Sequence, residues 1–123
     1  MIYPNTIILY VDSPAISAAF YANLLDQQPS ESSPTFALFV LGNGIKLGLW
    51  SKHTVEPMAD MTGGGGELAF SVDHTSVVDE LYTRWKHKKL TITQSPTKMD
   101  FGYTFVALDP DGHRLRVYSL NQS

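Results

Sequence analysis

The chain contains no cysteine, no excess of basic residues and no long apolar run, and each absence excludes a class of protein. Without cysteine there can be no disulfide and no zinc–thiolate site, which agrees with a cytoplasmic location. The net charge of −3 argues against a nucleic-acid surface, because such a surface needs a basic stripe. No stretch approaches the ~20 apolar residues of a membrane span, and the first residues lack the basic segment of a signal peptide. We therefore expect neither a nucleic-acid partner nor a membrane partner.

What the chain does contain is an internal repeat. Residues 40–50 and 107–118 each read as strand, tight turn and strand, and aligning their turn glycines places Trp50 on Tyr118. A second match lies upstream of each hairpin, between residues 9–21 and residues 70–82. A chain of 123 residues is small for two independent cores. We therefore predict one domain built from a duplicated unit of strand, helix and hairpin.

The first copy is predicted over residues 1–51. A β-branched and aromatic run forms a first strand over residues 6–11, and Ser13 then caps a helix that has Pro14 at its first position and ends near Leu25. The predicted apolar face of this helix consists of Ile16, Ala19, Phe20 and Leu24. Residues 27–34 read as a loop, and two strands follow at residues 35–41 and 45–50.

Residues 52–66 are predicted to be a flexible hinge, and residues 67–123 the second copy. Four consecutive glycines end the hinge, and no Gly-Lys-Ser/Thr follows them to support a phosphate-binding alternative. The second helix is predicted to be capped near Thr75 or Ser76 and to have an apolar face of Val78, Leu81, Tyr82 and Trp85. Strands are expected at residues 67–72, 90–93, 103–108 and 114–118, with a loop at 94–102. The predicted fold is α+β, two βαβββ modules whose mixed sheet curls into a cup.

The period of two along a strand predicts which side chains share a sheet face. One face of the first copy carries Thr6, Ile8 and Tyr10 together with Lys46, Gly48 and Trp50. The equivalent face of the second copy carries Glu67, Ala69 and Ser71 together with Arg114, Arg116 and Tyr118.

Two stretches carry a resemblance to a known family. The segment from Tyr10 to Tyr21 and the block Phe-Gly-Tyr-Thr-Phe…Asp-Pro-Asp-Gly within residues 101–118 resemble the vicinal oxygen chelate superfamily, as does the paired βαβββ plan. That superfamily includes glyoxalase I, extradiol dioxygenases and the bleomycin and fosfomycin resistance proteins. The likeness covers nearly the whole chain and implies the fold more firmly than the function.

The resemblance also implies where a metal would bind. Enzymes of the superfamily hold a divalent ion with His, Glu or Gln at four symmetric places, which here carry Thr6, Gly48, Glu67 and Arg116. Only Glu67 is a suitable ligand, and a guanidinium repels a cation. We therefore expect no metal and no other cofactor.

The chain resembles most closely the drug-sequestering members, in particular the phenazine-binding type. The similarity lies in Trp50-Ser51 at the end of the fourth strand, Glu67 at the start of the fifth and Arg116 in the last. It implies that Trp50 stacks on a flat ligand while Gly48 leaves room beside it. Arg116 would bind a ligand carboxylate, and Glu67 would orient Arg116 or accept a ligand N–H. Further candidates for the cup are the aromatic residues Tyr10, Phe36, Phe39 and Tyr103.

Each of these assignments has an alternative. Trp50 could pack on the first helix, the four further aromatic residues could belong to the core, and Glu67 and Arg116 could form only an ion pair. For function, we expect sequestration of a small aromatic compound by a homodimer with sites at the subunit interface, as the resemblance implies. The alternative is a metal-dependent lyase, transferase or dioxygenase, and a metal-free enzyme with Glu67 as general base is a third reading.

Overall fold

The computed structural model describes residues 1–121 and contains two compact units, residues 1–62 and the chain from Gly63 onward. Both units have the predicted βαβββ order, and the α+β fold class is confirmed. The first unit consists of β1 Thr6–Val11, α1 Pro14–Leu25, β2 Glu31–Ser32, β3 Phe36–Val40 and β4 Lys46–Ser51. The second consists of β5 Glu67–Ser71, α2 Thr75–His87, β6 Thr91–Met99, β7 Gly102–Leu108 and β8 Arg114–Ser119.

The two units have the same sheet topology, as expected from a duplicated sequence. The strand orders are β1-β4-β3-β2 and β5-β8-β7-β6, and in each the first strand is parallel to the last strand of its unit. The remaining pairs are antiparallel. Tyr10 pairs with Trp50 in the first unit and Ser71 with Tyr118 in the second, so the register places Trp50 and Tyr118 at equivalent positions.

Helix α1 begins as predicted but buries a different face. The Ser13 hydroxyl accepts a hydrogen bond from the backbone N–H of Ile16, and Pro14 occupies the first turn. The buried residues are Pro14, Ser17, Ala18 and Tyr21, whereas the predicted core residue Ile16 is 63% exposed. Two sets of residues on this helix have helical spacing, and the prediction chose the more hydrophobic set, which contains Ile16. The buried set consists mainly of smaller residues, so hydrophobicity alone does not identify it.

Three further boundaries differ from the predictions. The two polar residues of β2 lie inside the predicted loop, where pairing with β3 defines the strand. Strand β6 continues to Met99 through the region predicted as a loop, with two shifts of register against β7. Helix α2 is preceded by His74 as N-cap, with no side-chain capping bond, so neither Thr75 nor Ser76 is the cap.

Each sheet buries one face beneath its own helix. In the first unit Val11, Phe39 and Leu49 lie on that face together with Tyr21 of α1. In the second unit the core contains Val78 and Trp85 of α2 with Phe105, Leu115 and Val117 of the sheet, as predicted for the two helix residues. Among the described residues, no helix is long and apolar enough to cross a membrane.

The segment between the two strands Lys46–Ser51 and Glu67–Ser71 contains no helix or strand, but its glycines are not equivalent. A Cβ on Gly63 would lie 2.6 Å from the carbonyl carbon of Gly112, in the turn between β7 and β8. A Cβ on Gly64, Gly65 or Gly66 would meet nothing within 4 Å. The glycine run is therefore fixed at its first residue.

Candidate functional site

An aromatic cluster occupies the face of the first sheet that lies opposite α1. Trp50 is half-buried there, flanked by Tyr10 on one neighbouring strand and Phe36 on the other. Both rings have their centroids 6.5 Å from the indole centroid, and their planes lie at 83° and 86° to it. The alternative in which Trp50 packs on the helix is wrong, because the adjacent Leu49 fills that side of the sheet. The three rings form a cluster in which neither neighbour stacks parallel to the indole.

Gly48 lies on the same face, but it does not leave the free space that the sequence suggested. A Cβ on Gly48 would lie 3.0 Å from Cζ of Phe36 and 3.5 Å from Cγ1 of Ile8. The Phe36 ring therefore covers Gly48 and fills the room that the missing side chain leaves. In this arrangement the glycine accommodates an aromatic residue of the protein itself.

Phe39 does not belong to the cluster. It pairs with Leu47, its exposed fraction is 0%, and it lies on the opposite face of the sheet from Phe36. Residues of a strand that are three apart point to opposite faces, so Phe36 and Phe39 cannot line the same surface. The structure assigns Phe39 to the core.

In the second unit, Glu67 and Arg116 form a bidentate ion pair between strands β5 and β8. Nε of Arg116 donates to Oε1 of Glu67 at 2.9 Å, and Nη2 donates to Oε2 at 3.0 Å. Nη1 donates to Oγ1 of Thr104 at 3.1 Å and to Oε1 of Gln94 at 3.4 Å. The Thr104 hydroxyl in turn donates to the carbonyl of Val117 at 2.8 Å. Four hydrogen bonds to three side chains of the sheet therefore hold the guanidinium in place.

The electrostatics of the pair follow from this geometry. The hydrogen bonds from Arg116 hold the pKa of the Glu67 carboxyl below its usual value, and the nearby charge of Arg114 acts in the same direction. Partial burial opposes this effect. The side chains of Arg116 and Glu67 are 19% and 30% exposed, so the pair is only partly screened by water. At neutral pH the two charges cancel each other.

Tyr103 lies elsewhere in the second unit. It pairs with Ser119 on the helix side of the sheet, and its hydroxyl donates to Oδ1 of Asp79 in α2 at 2.7 Å. The bond to Asp79 raises the pKa of the Tyr103 phenol. Tyr103 thus connects the sheet to its helix, and the structure does not bring it to the face that carries Arg116.

Sequence reasoning missed Tyr118 as a candidate residue. Tyr118 is half-buried two positions after Arg116 on the same face of β8, with the Phe101 ring at 6.1 Å and at 78° to it. Trp50 holds the same place in the first unit, also beside rings nearly perpendicular to it. The signal was present in the repeat, which aligns Trp50 on Tyr118.

An ion pair and a hollow of the first unit lie outside these two faces. His53 Nε2 is 2.8 Å from Oδ1 of Asp12, an exposed contact that joins the irregular segment to the end of β1 and lowers the pKa of Asp12. Beside it, residues 52–62 enclose an open hollow of about 930 Å³. Its lining includes none of the predicted site residues, and we assign it no role.

Comparison with known proteins identifies the family. Residues 4–117 match the model of the Glyoxalase/Bleomycin resistance protein/Dioxygenase superfamily. The chain belongs to this superfamily. The predicted resemblance is thereby confirmed over most of the sequence.

Three known proteins show what the chain is similar to. It is 28% identical to the phenazine antibiotic resistance protein EhpR of Enterobacter agglomerans over 123 residues, 98% of this chain and 94% of that protein. A protein of Agrobacterium tumefaciens solved by NMR is 59% identical, with a TM-score of 0.85 over 97% of this chain and 98% of that one. A superfamily enzyme from Burkholderia phytofirmans is 21% identical with a TM-score of 0.82 over 98% of this chain and all of the other, and it shows the fold alone.

The positions that bind metal in enzymes of the superfamily do not fit a metal ion here. They carry Thr6, Gly48, Glu67 and Arg116. Both carboxylate oxygens of Glu67 already accept hydrogen bonds from the Arg116 guanidinium, whose positive charge would repel a cation. Among residues 1–121, no three His, Cys, Asp or Glu side chains come together as a ligand set.

Proposed function

We propose that this protein binds and sequesters a small planar aromatic compound without changing it. The observation that carries the proposal is the position of Trp50, half-buried on the open face of the first sheet with Tyr10 and Phe36 perpendicular to it. An indole offers the largest π-face of any side chain, and flat ligands favour such surfaces. Rings at right angles to the indole would contact the edges of a compound stacked on it.

The relationship to EhpR supports this class of ligand. That protein is a phenazine antibiotic resistance protein, and phenazines are planar aromatic compounds. At 28% identity the likeness supports the class of ligand and not a particular compound. The charged pair Glu67 and Arg116 fits binding better than metal catalysis, since it takes the place of the metal ligands with groups that satisfy each other.

The proposal also covers assembly and location. Proteins of the superfamily bind small molecules and often form dimers. We extend this to a homodimer with two equivalent sites at the subunit interface, which sedimentation of the purified protein would reveal as twice the mass of 13.6 kDa. A cytoplasmic location belongs to the same proposal, because a sequestering protein acts on compounds that have entered the cell.

The test is a fluorescence titration that exploits the two tryptophans of the chain. Trp50 lies on the face of the first sheet opposite α1, whereas Trp85 belongs to α2 and is buried in the core of the second unit at 4% exposure. In the variant Trp85→Phe, Trp50 is the only indole, and a panel of planar aromatics including phenazines is titrated in the presence of chelator. The matched variant Trp50→Phe retains Trp85 as a reporter of the core.

We expect saturable quenching in Trp85→Phe and in the wild type, and no saturable quenching in Trp50→Phe. Stoichiometric sequestration requires a dissociation constant of roughly micromolar or lower, about −8 kcal/mol. Chromatography should return the compound unaltered. If a stoichiometric metal co-purifies and the compound is converted, the protein is an enzyme and the proposal is wrong.

A further inference from the structure

The hydrogen bonds of Arg116 decide how its guanidinium can meet a ligand. A guanidinium has five N–H donors, and those of Arg116 are directed at Glu67 twice, at Thr104 and at Gln94. Four donors are thus engaged by described residues, which leaves a single N–H on Nη2.

A carboxylate is recognised strongly when it accepts two parallel hydrogen bonds from one edge of a guanidinium. The edge formed by Nε and Nη2 already holds the carboxylate of Glu67. The edge formed by Nη1 and Nη2 is blocked, because Nη1 donates to Thr104 and to Gln94. A ligand carboxylate therefore meets no complete edge, and the charge of Glu67 opposes its approach.

The two faces of the guanidinium, unlike its edges, are not occupied by these hydrogen bonds. Hydrogen bonds to a guanidinium lie in its plane, so these four contacts fix the orientation of the plane and do not cover its faces. The side chain of Arg116 is 19% exposed on the side of the sheet opposite α2. Tyr118 lies two residues further along the same face of β8, and planar guanidinium groups stack on aromatic rings.

We propose that Arg116 offers its ligand a flat cationic face and not a hydrogen-bonding edge. The compound bound is then a planar aromatic one that needs no carboxylate, and Tyr118 extends the stacking surface beside Arg116. Glu67 is a positioning residue that keeps the edge occupied and the plane fixed. This inference rests on the proposed function, and it replaces the carboxylate binding that the family resemblance implied for Arg116.

The test compares two probes that differ in one group. Phenazine-1-carboxamide and phenazine-1-carboxylate have the same ring system, and only the second is charged at about pH 7. Their dissociation constants are measured by isothermal titration calorimetry with the wild type, Arg116→Gln and Glu67→Ala. The matched control is Arg114→Gln, which removes the same charge from the same face of the same strand. Circular dichroism checks the folding of each variant.

For the wild type we expect dissociation constants for the two probes within about threefold of each other. Arg116→Gln should weaken the carboxamide by about tenfold, since it removes the cationic face. The carboxylate should be weakened at least as much, because the charge of Glu67 is then unpaired. Glu67→Ala opens the Nε and Nη2 edge and should create a preference for the carboxylate of at least about tenfold. Arg114→Gln should leave the ratio between the probes as in the wild type.

Three results would overturn the inference. In the first, the wild type binds the carboxylate at least about tenfold more tightly than the carboxamide, and Arg116→Gln abolishes this preference. That result would show that a hydrogen-bonding edge of Arg116 recognises the ligand, while the proposed function would still hold. Unchanged constants in Arg116→Gln would show that Arg116 does not touch the ligand. If no compound of the fluorescence panel binds the wild type, the proposed function fails as well. If Arg116→Gln does not fold, Arg116→Lys replaces it in the comparison of the two probes. Lysine retains the positive charge but lacks the planar guanidinium.

Discussion

The ring of Phe36 covers the α-carbon of Gly48, so that a Cβ there would lie 3.0 Å from Cζ and 3.1 Å from Cε1 of the ring. Two effects oppose each other when this glycine is replaced. Alanine is better than glycine in a strand by roughly 0.5–1 kcal/mol. The Phe36 ring, however, must move by a few tenths of an ångström to make room, which is feasible because the contact is at the far end of a side chain.

We predict that Gly48→Ala changes the free energy of unfolding by less than about 1 kcal/mol, whereas Gly48→Val costs about 1–3 kcal/mol through overpacking. Urea denaturation monitored by circular dichroism measures both. In a Phe36→Ala background the cost of Gly48→Val should largely disappear, because the colliding ring is gone. An equal cost in both backgrounds would show that the ring does not set the space at Gly48.

Gly63 gives a second steric prediction with a clear control. A Cβ there would lie 2.6 Å, 2.7 Å and 2.8 Å from three backbone atoms of Gly112 and His113, and backbone cannot rotate away as a side chain can. Gly63→Ala should therefore lose about 1–3 kcal/mol of unfolding free energy. Gly65→Ala, with nothing within 4 Å, should be neutral or stabilise by roughly 0.4–1 kcal/mol. Thermal or urea denaturation distinguishes them, and equal effects would contradict a fixed Gly63.

The ion pair of Glu67 makes the stability of the protein depend on pH in a specific direction. Because the pKa of Glu67 is lower in the folded protein than its ordinary value of 4.5, the folded state favours the ionised carboxyl. The stabilisation is therefore present above about pH 4.5 and is lost as the pH falls through the lower, folded-state pKa.

We predict that the difference in unfolding free energy between the wild type and Glu67→Gln is greatest near neutral pH and shrinks on acidification. Urea titrations from about pH 7 to about pH 3 measure it, and the other acidic groups cancel in the difference between the variants. A difference that is constant over this range would mean that Glu67 is not held ionised by Arg116.

Two substitutions in helix α1 test which of its faces is buried: the one that contains Tyr21 or the one that contains Ile16. Tyr21 has no exposed surface, whereas Ile16 is 63% exposed. Tyr21→Ala should cost about 3–5 kcal/mol, as truncation of a buried aromatic residue does. Ile16→Ala should remain within about 0.5 kcal/mol of the wild type. A large loss of unfolding free energy in Ile16→Ala would show that the face predicted from hydrophobic periodicity is the buried one.

The sequence predicted the parts of the fold that depend on local patterns and on the repeat. Ser13 and Pro14 set the start of α1 by local chemistry, and the alternation along β4 and β8 placed Trp50 and Arg116 on the correct faces. The family was identified from the paired βαβββ plan and from the block within residues 101–118, which is the most specific part of the resemblance. These signals can be read from the sequence without knowledge of tertiary contacts.

What could not be predicted depends on pairing between strands. The residues of β2 are polar and form a strand only because β3 lies beside them. Strand β6 contains Pro96 within its second shift of register, between Gln94 and Thr97, and a proline in the sequence favours a loop. The side of the sheet to which Tyr103 points follows from its register against β8, which the turn between the strands fixes. For Phe39, by contrast, parity with Phe36 was sufficient to exclude it.

The docking of Gly63 on the turn at Gly112 has a practical consequence for protein engineering. A flexible glycine linker tolerates insertions anywhere along its length. Here we expect insertions to be tolerated only after Gly63, which is packed against the turn. Tags, cleavage sites or spectroscopic labels belong between Gly64 and Gly66, where an added Cβ would meet nothing within 4 Å. A truncated fragment intended to contain the second unit should begin no later than Gly63, so that the β7–β8 turn keeps its contact.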